Sequence, residues 1–175
     1  MTMTETKDKT EVGQYLTFVL DDEIYAVDVQ NAQTVIENAR TTRIPRVPEF
    51  VLGVIDFRGS VVPLIDLRAK FGIVPRDDEA KAIIVILDIP WNGRSVVLGV
   101  TVDEVKEVIE FGPDVIEDAR AIGFTSEQQF ITGVAKKDNV FILVLDAEKI
   151  LDSRELSDLG NRMETAAENP EESER

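Results

Sequence analysis

Apolar and polar positions alternate in short bursts along this chain, and each burst is closed by residues that favour turns. Tyr15-Leu-Thr-Phe-Val-Leu20 and Glu23-Ile-Tyr-Ala-Val-Asp28 are rich in β-branched and aromatic side chains and flank Asp21-Asp22, which predicts a hairpin. Val29 to Ala32 predicts a single turn before Gln33-Thr-Val-Ile-Glu37 returns to strand. Pro45 and Pro48 punctuate the next connection, because neither can donate to a ladder and each pushes its predecessor out of the α region. Gly53-Val-Ile-Asp-Phe57 and Ser60-Val-Val-Pro-Leu-Ile65 then flank Arg58-Gly59, a second hairpin in which Gly59 supplies a positive φ. Pro63 inside that strand marks an edge or a bulge, where a missing N–H is tolerated.

Asp66 is placed to cap a short helix over Leu67 to Phe71, closed by Gly72, and Asp146 stands in the same relation to Ala147-Glu-Lys-Ile-Leu151. Pro75-Arg-Asp-Asp-Glu-Ala-Lys81 reads as a charged connector. Beyond it, Ala82 to Leu87 and Arg94 to Val102 predict a hairpin with Pro90-Trp-Asn-Gly93 in its turn. Phe111 to Gln129 is a longer irregular stretch, and Phe130 to Lys136 pairs with Asn139 to Leu145. Ser153 to Met163 predicts an amphipathic helix with Leu156, Leu159 and Met163 inward.

These elements repeat. Tyr25 to Glu37 falls without a gap on Leu98 to Glu110, a separation of 73 positions (98 − 25), and Gly53 to Asp66 falls on Gly133 to Asp146, a separation of 80 (133 − 53). Two blocks in one order, differing by a seven-residue insertion (80 − 73), predict two copies of one module of about five short strands, suited to a small closed barrel. Barrels of roughly 60 residues are marginal alone, so the two should pack together. Ala32 shares a column with Val105, Thr34 with Glu107 and Val35 with Val108, which a pseudo-twofold arrangement would bring to equivalent places near the junction. Gly53 and Gly99 mark positions where a side chain would obstruct a crossing strand or, at Gly53, an approaching partner. Val100 is a predicted core position of the second barrel.

Composition then removes whole classes of chemistry. The chain has no Cys and no His, so there is no thiolate nucleophile, no disulfide and no imidazole base, and zinc becomes a poor expectation. No cofactor and no metal is implied. The net charge of −15 disfavours nucleic acid and anionic lipid surfaces and favours protein partners. No apolar run approaches the roughly 18–20 residues of a bilayer span, and Met1 to Gly13 reads as a flexible polar tail rather than a secretory signal, which makes the cytoplasm the expected compartment. A carboxylate-based hydrolase using Asp21/Asp22 or Asp77/Asp78 is the rival of another class. It is disfavoured because both pairs fall in turn or linker contexts without an apolar pocket to raise one pKa.

Arg58 is the first candidate for recognition, since a hairpin tip needs no guanidinium for packing and arginine pairs bidentately with carboxylates. The run Tyr15 to Val29, then Thr42-Arg-Ile-Pro45, Pro48-Glu-Phe50 and Val54-Ile-Asp-Phe-Arg-Gly59 through Val62-Pro-Leu-Ile-Asp-Leu-Arg68, resembles the CheW family of bacterial chemotaxis coupling proteins over roughly Gln14 to Leu159. The resemblance implies an all-β fold of two five-stranded SH3-like barrels with short helices and a C-terminal helix. It also implies a non-enzymatic monomer that joins a receptor array at the inner membrane face without inserting into the membrane. There it would bridge the cytoplasmic tips of chemoreceptors to the regulatory domain of the histidine kinase CheA. A coupling protein of a twitching or second-messenger array is the nearer alternative.

Carried onto this chain, Asp56-Phe57-Arg58-Gly59 matches the family's Asn-Leu-Arg-Gly-like motif, and the receptor groove between the barrels implicates Ala32, Thr34, Val35, Val105 and Val108, with Gly53 leading into the Arg58 hairpin. The first half departs from the family's Val-x-Glu-Val, reading Ala32-Gln-Thr-Val35, whereas the second keeps Val105-Lys-Glu-Val108. Thr34 removes a charge that could pair with Arg58, for which Glu37 is the candidate substitute. The expected organisation is a flexible tail over 1–13, a domain over 14–152 of two intertwined barrel subdomains, roughly 14–80 and 81–152, a helix over 153–163 and a disordered acidic tail over 164–175.

Overall fold

The structure, a computed structural model, describes residues 12–74 and 83–159. The strands are β1 Gly13–Leu20, β2 Glu23–Asp28, β3 Ala32–Glu37, β4 Val51–Phe57, β5 Ser60–Asp66, β6 Ile83–Trp91, β7 Arg94–Val102, β8 Glu104–Phe111, β9 Ile116–Asp118, β10 Ile131–Lys137 and β11 Val140–Leu145. Among the described residues, helix is limited to α1 (Leu67–Lys70), short 3-10 turns and residues 153–159. The connector Pro75 to Lys81, Ala82, Met163, most of the N-terminal tail and the acidic tail fall outside them; Gly13, expected in the tail, already pairs with Phe111 in a ladder.

The turn residues act as their chemistry dictates. Asp21 and Asp22 both have positive φ (53° and 64°), as do Arg58 and Gly59 (52° and 81°), Asn92 and Gly93 (49° and 73°), and Asp138 and Asn139 (52° and 63°). Two consecutive left-handed residues make the hairpin turn whose twist matches that of the strands. Arg58 therefore shares the strained conformation expected of Gly59 alone. Asp66 caps α1 by accepting from the backbone N–H groups of Arg68 and Ala69, and Asp146 accepts from Glu148. One expectation needs correction. β6 runs on through Pro90 and Trp91, which pair with Ser95 and Arg94, so the turn is only Asn92-Gly93. Pro63 lies on a strand interior to the sheet order, but on a stretch that is locally an open edge, because the ladder from β5 to β7 covers only Leu64 to Asp66.

Two sheets result, in the orders β8-β1-β2-β11-β10-β9 and β3-β6-β7-β5-β4, and they form two SH3-like barrels. By the sequence repeat, β1 to β5 correspond to β6, β7, β8, β10 and β11, and this substitution converts the first order, without β9, into the second. The two sequence halves, roughly 14–80 and 81–152, are interlaced across the barrels. One barrel is continuous, β3 to β7, whereas the other joins β1 and β2 to β8 through β11. The chain crosses between sheets at Val29–Asn31 and at Asp103, so the opening hairpin of each half pairs with the closing strands of the other. Parallel ladders seal both exchanges, β2 with β11 and β5 with β7.

The insertion accounts for the departure from five strands apiece. β9 pairs with β10 through Glu117↔Val134, and the corresponding position of the first half, Val54, meets only the isolated bridge Thr42↔Val54. The extra residues widen one bridge into a strand.

The largest core lies between the barrels rather than inside either. Phe18, Leu20, Tyr25, Val27 and Leu145 from one sheet meet Val51, Ile65, Val85, Leu87, Leu98 and Val100 from the other, closed by Leu67, Leu151, Leu156 and Leu159. Among the described residues, nineteen buried side chains form it, against six and five inside the separate barrels. At about 1.5–3 kcal/mol per fully buried large apolar side chain, the shared core contributes most of the hydrophobic stabilisation, which is why neither barrel is an independent unit.

Candidate docking site

At the tip of β4–β5 the Gly59 N–H donates to Asp56 Oδ1 at 2.9 Å, fixing the turn. Arg58 is exposed and its guanidinium carbon stands 4.8 Å from the centroid of the Phe57 ring. Among the described residues no carboxylate lies within ion-pair distance of Arg58. Neither Thr34 nor Glu37 replaces the missing partner; the Phe57 ring takes that place.

β3 and β8 are equivalent edge strands of the two sheets. Each carries one extra residue in its ladder, at Gln33 against β6 and between Val105 and Val108 against β1, so the bulge is part of the repeat. Thr17, buried, secures the second: its Oγ1 donates to the Glu107 carbonyl at 2.6 Å and accepts from the Glu107 N–H at 3.1 Å. Gln33 secures the first by donating from Nε2 to Asp88 Oδ2 at 3.0 Å. Val35 and Val108 are exposed by 37% and 53%, whereas Ala32 and Val105 are half-buried against the shared core. The two edges thus both begin at the junction, as the repeat required. Arg58 and the β3 residues belong to the continuous barrel, while Val105 and Val108 belong to the other.

Gly53 is a structural position. It is buried with φ +148°, and a Cβ there would lie 2.1 Å from the Thr42 carbonyl oxygen. At Gly133, its repeat equivalent, a Cβ would meet the Ile116 side chain first and lie 2.8 Å from the Glu117 carbonyl oxygen of β9. Gly99 is likewise structural, beneath Ile84 and Leu64.

Of the carboxylates singled out as rival catalytic pairs, Asp21 has a structural role. Asp21 donates its backbone N–H to Asp103 Oδ2 at 2.8 Å, and its carboxylate lies 3.6 Å from Arg68. Arg68 also donates to Asp103 at 3.2 and 2.6 Å and to the Val74 carbonyl at 2.8 Å, so α1, the first hairpin and the β7–β8 crossing share one cation. The hydrogen bond to Asp103 is the first cause of a raised Arg68 pKa. Asp77 and Asp78 lie outside the described residues.

Sequence reasoning missed the apolar tips. Val61 is 56% exposed and Phe141, 80 positions on, 61% exposed, with Lys136 Nζ 5.8 Å from the Phe141 ring. Each projects from the strand leaving its hairpin, where alternation alone reads as barrel interior. The repeat held the signal, since a large apolar residue stands at the same tip column in both halves.

Two SH3-like barrels fused through one core, with matching apolar tips and edge strands, define a double-barrel scaffold. The CheW-like domain family model matches residues 14–155, and the chain belongs to the CheW family. It is 31% identical over 151 residues to the chemotaxis protein CheW of Klebsiella aerogenes, covering 86% of this chain and 89% of the relative. Against the CheW of Thermotoga maritima it is 30% identical over 139 residues, with coverages of 79% and 87%. The crystal structure of the scaffolding protein TtCheW from Thermoanaerobacter tengcongensis superposes with a TM-score of 0.71 at 30% identity, over 83% of this chain and 96% of that one. No helix among the described residues is long and apolar enough to cross a membrane.

Proposed function

We infer that this protein is a non-catalytic adaptor that couples chemoreceptors to a CheA-type histidine kinase, acting in the cytoplasm and recruited to receptor arrays at the inner membrane face. Its family supplies the chemotaxis scaffold. The observation that carries the finer reading is the pair of exposed apolar tips, Val61 and Phe141, held on opposite barrels of one rigid core. A bridging protein needs two such ends in fixed relation, and exposed apolar groups beside a cation are the surface such docking uses. Arg58 on one tip adds a charge able to meet a partner's carboxylate.

Titration of the labelled protein with a CheA regulatory domain and, separately, with a receptor hairpin tip tests this. Saturable binding to both is expected, and saturable binding to neither overturns the inference. Arg58→Glu should weaken at least one contact about tenfold with the melting temperature nearly unchanged, because the side chain is exposed and its ring contact is worth only about 0.5–1 kcal/mol. An equal loss of fold and binding would remove Arg58 from the docking surface.

A further inference from the structure

The continuous barrel is open between the leading halves of β5 and β7. Their parallel ladder joins only Leu64–Asp66 to Gly99–Thr101, so Ser60–Pro63 and Arg94–Val97 line a groove of about 470 Å³ between them. Phe57, Val61, Trp91 and Val96 give it an apolar lining. Among the described residues that line it, Arg58 and Arg94 are the charged ones and none is acidic. That is unusual on a chain with 34 acidic and 19 basic residues.

Leu159, the last described residue, lines the same groove. Immediately after it come Met163 and the carboxylates of Glu164, Glu168, Glu171, Glu172 and Glu174, against only Arg162 and Arg175. Glu164 lies five positions beyond Leu159, a reach of up to about 17 Å, so no long excursion is needed to bring it to Arg58. The acidic, methionine-bearing segment therefore follows in sequence directly on a residue that lines the cationic, apolar groove. A tethered segment acts at an effective concentration on the order of millimolar, so even a weak contact is populated.

We propose that residues 160–175 dock in this groove, set their carboxylates against Arg58, and compete in cis with the partner that approaches the Arg58 tip. The competition rests on the coupling role inferred above; the docking does not. Trp91 is the only tryptophan of the chain and lines the groove, so its fluorescence reports occupancy without any partner.

Acrylamide quenching of Trp91 should rise about twofold when residues 160–175 are deleted, and about 1 M salt should move the full chain toward the truncated one, since the Debye length then falls to about 3 Å. Arg58→Ala should raise quenching in the full chain and add nothing in the truncated chain, as a coupled pair requires. Affinity of the truncated chain for the CheA regulatory domain should rise about twofold or more. Identical quenching with and without the segment, or additive effects of truncation and Arg58→Ala, overturns the docking. Quenching that varies with protein concentration assigns the groove to a second copy and overturns it too. A Trp91 response without any change in partner affinity leaves the docking intact and overturns the competition.

Discussion

Gly53→Ala should be among the most damaging single changes available in this fold, although it adds one carbon. The new Cβ would sit 2.1 Å from the Thr42 carbonyl oxygen and 2.8 Å from its carbon, both backbone atoms that no rotamer change can move. The φ of +148° is itself poorly tolerated by a residue with a Cβ, and such strain costs about 1–3 kcal/mol. Relief requires Thr42 to retreat, breaking the reciprocal hydrogen bonds Thr42 N–H to Val54 O at 2.9 Å and Val54 N–H to Thr42 O at 2.8 Å. Those are worth about 1 kcal/mol each. The total is about 3–5 kcal/mol, against a stability of about 5–15 kcal/mol for a typical domain. Urea denaturation should show the midpoint falling by roughly 2 M at a slope of about 2 kcal/mol/M. Gly59→Ala is the control: its φ is +81° but nothing lies within 4 Å of the added carbon, so about 1 kcal/mol is expected. Gly133→Ala should cost less than Gly53→Ala, because its φ is not left-handed, the atom nearest the added carbon belongs to the Ile116 side chain and the Glu117 carbonyl oxygen lies at 2.8 Å. A Gly53→Ala protein within about 1 kcal/mol of the wild type, or one that keeps its midpoint and loses partner binding, would refute the packing reading.

Val100→Asp places a carboxylate at a site only 1% exposed in the core shared by both barrels, so a cost above about 4 kcal/mol and loss of both barrels in one transition are expected by circular dichroism and NMR; persistence of one barrel would contradict a common core. Arg68→Ala should cost about 2–3 kcal/mol by denaturation because Asp103 and Asp21 lose their shared cation, with Arg68→Lys recovering only part; a cost under about 0.5 kcal/mol would rule out the anchoring role. Burial, then the nearby charges of Glu23 and Asp21, raises the Tyr25 pKa above its ordinary 10.0. The folded state then holds the phenol proton more tightly, so this contribution is complete below about pH 10 and lost as pH rises through the raised value. Melting temperatures should fall as pH climbs past about 10, less so in Tyr25→Phe, and parallel curves would discount Tyr25 as the cause.

Much of this protein is legible in one dimension. The hairpins at Asp21-Asp22 and Arg58-Gly59, the Asp66 and Asp146 caps and the buried leucines of residues 153–159 follow from local rules, since turn geometry and amphipathic periodicity are set within a few residues. The repeat even encodes the matching bulges of β3 and β8 and the glycines beneath Thr42 and β9. The absence of His and Cys narrowed the chemistry before any fold was drawn. What one dimension could not decide is which strands pair. Sequence similarity divides the chain near residue 80, but hydrogen bonding divides it at Val29–Asn31 and Asp103, because each opening hairpin finds its parallel partner in the other half. The same is true of the groove at Arg58: Phe57, the Trp91–Arg94 hairpin and Leu159 are distant in the chain and meet only in the folded arrangement, where β5 and β7 are unpaired before Leu64 and Gly99. Local propensity chose the elements; burial of one common core, available only when the halves exchange hairpins, chose their arrangement.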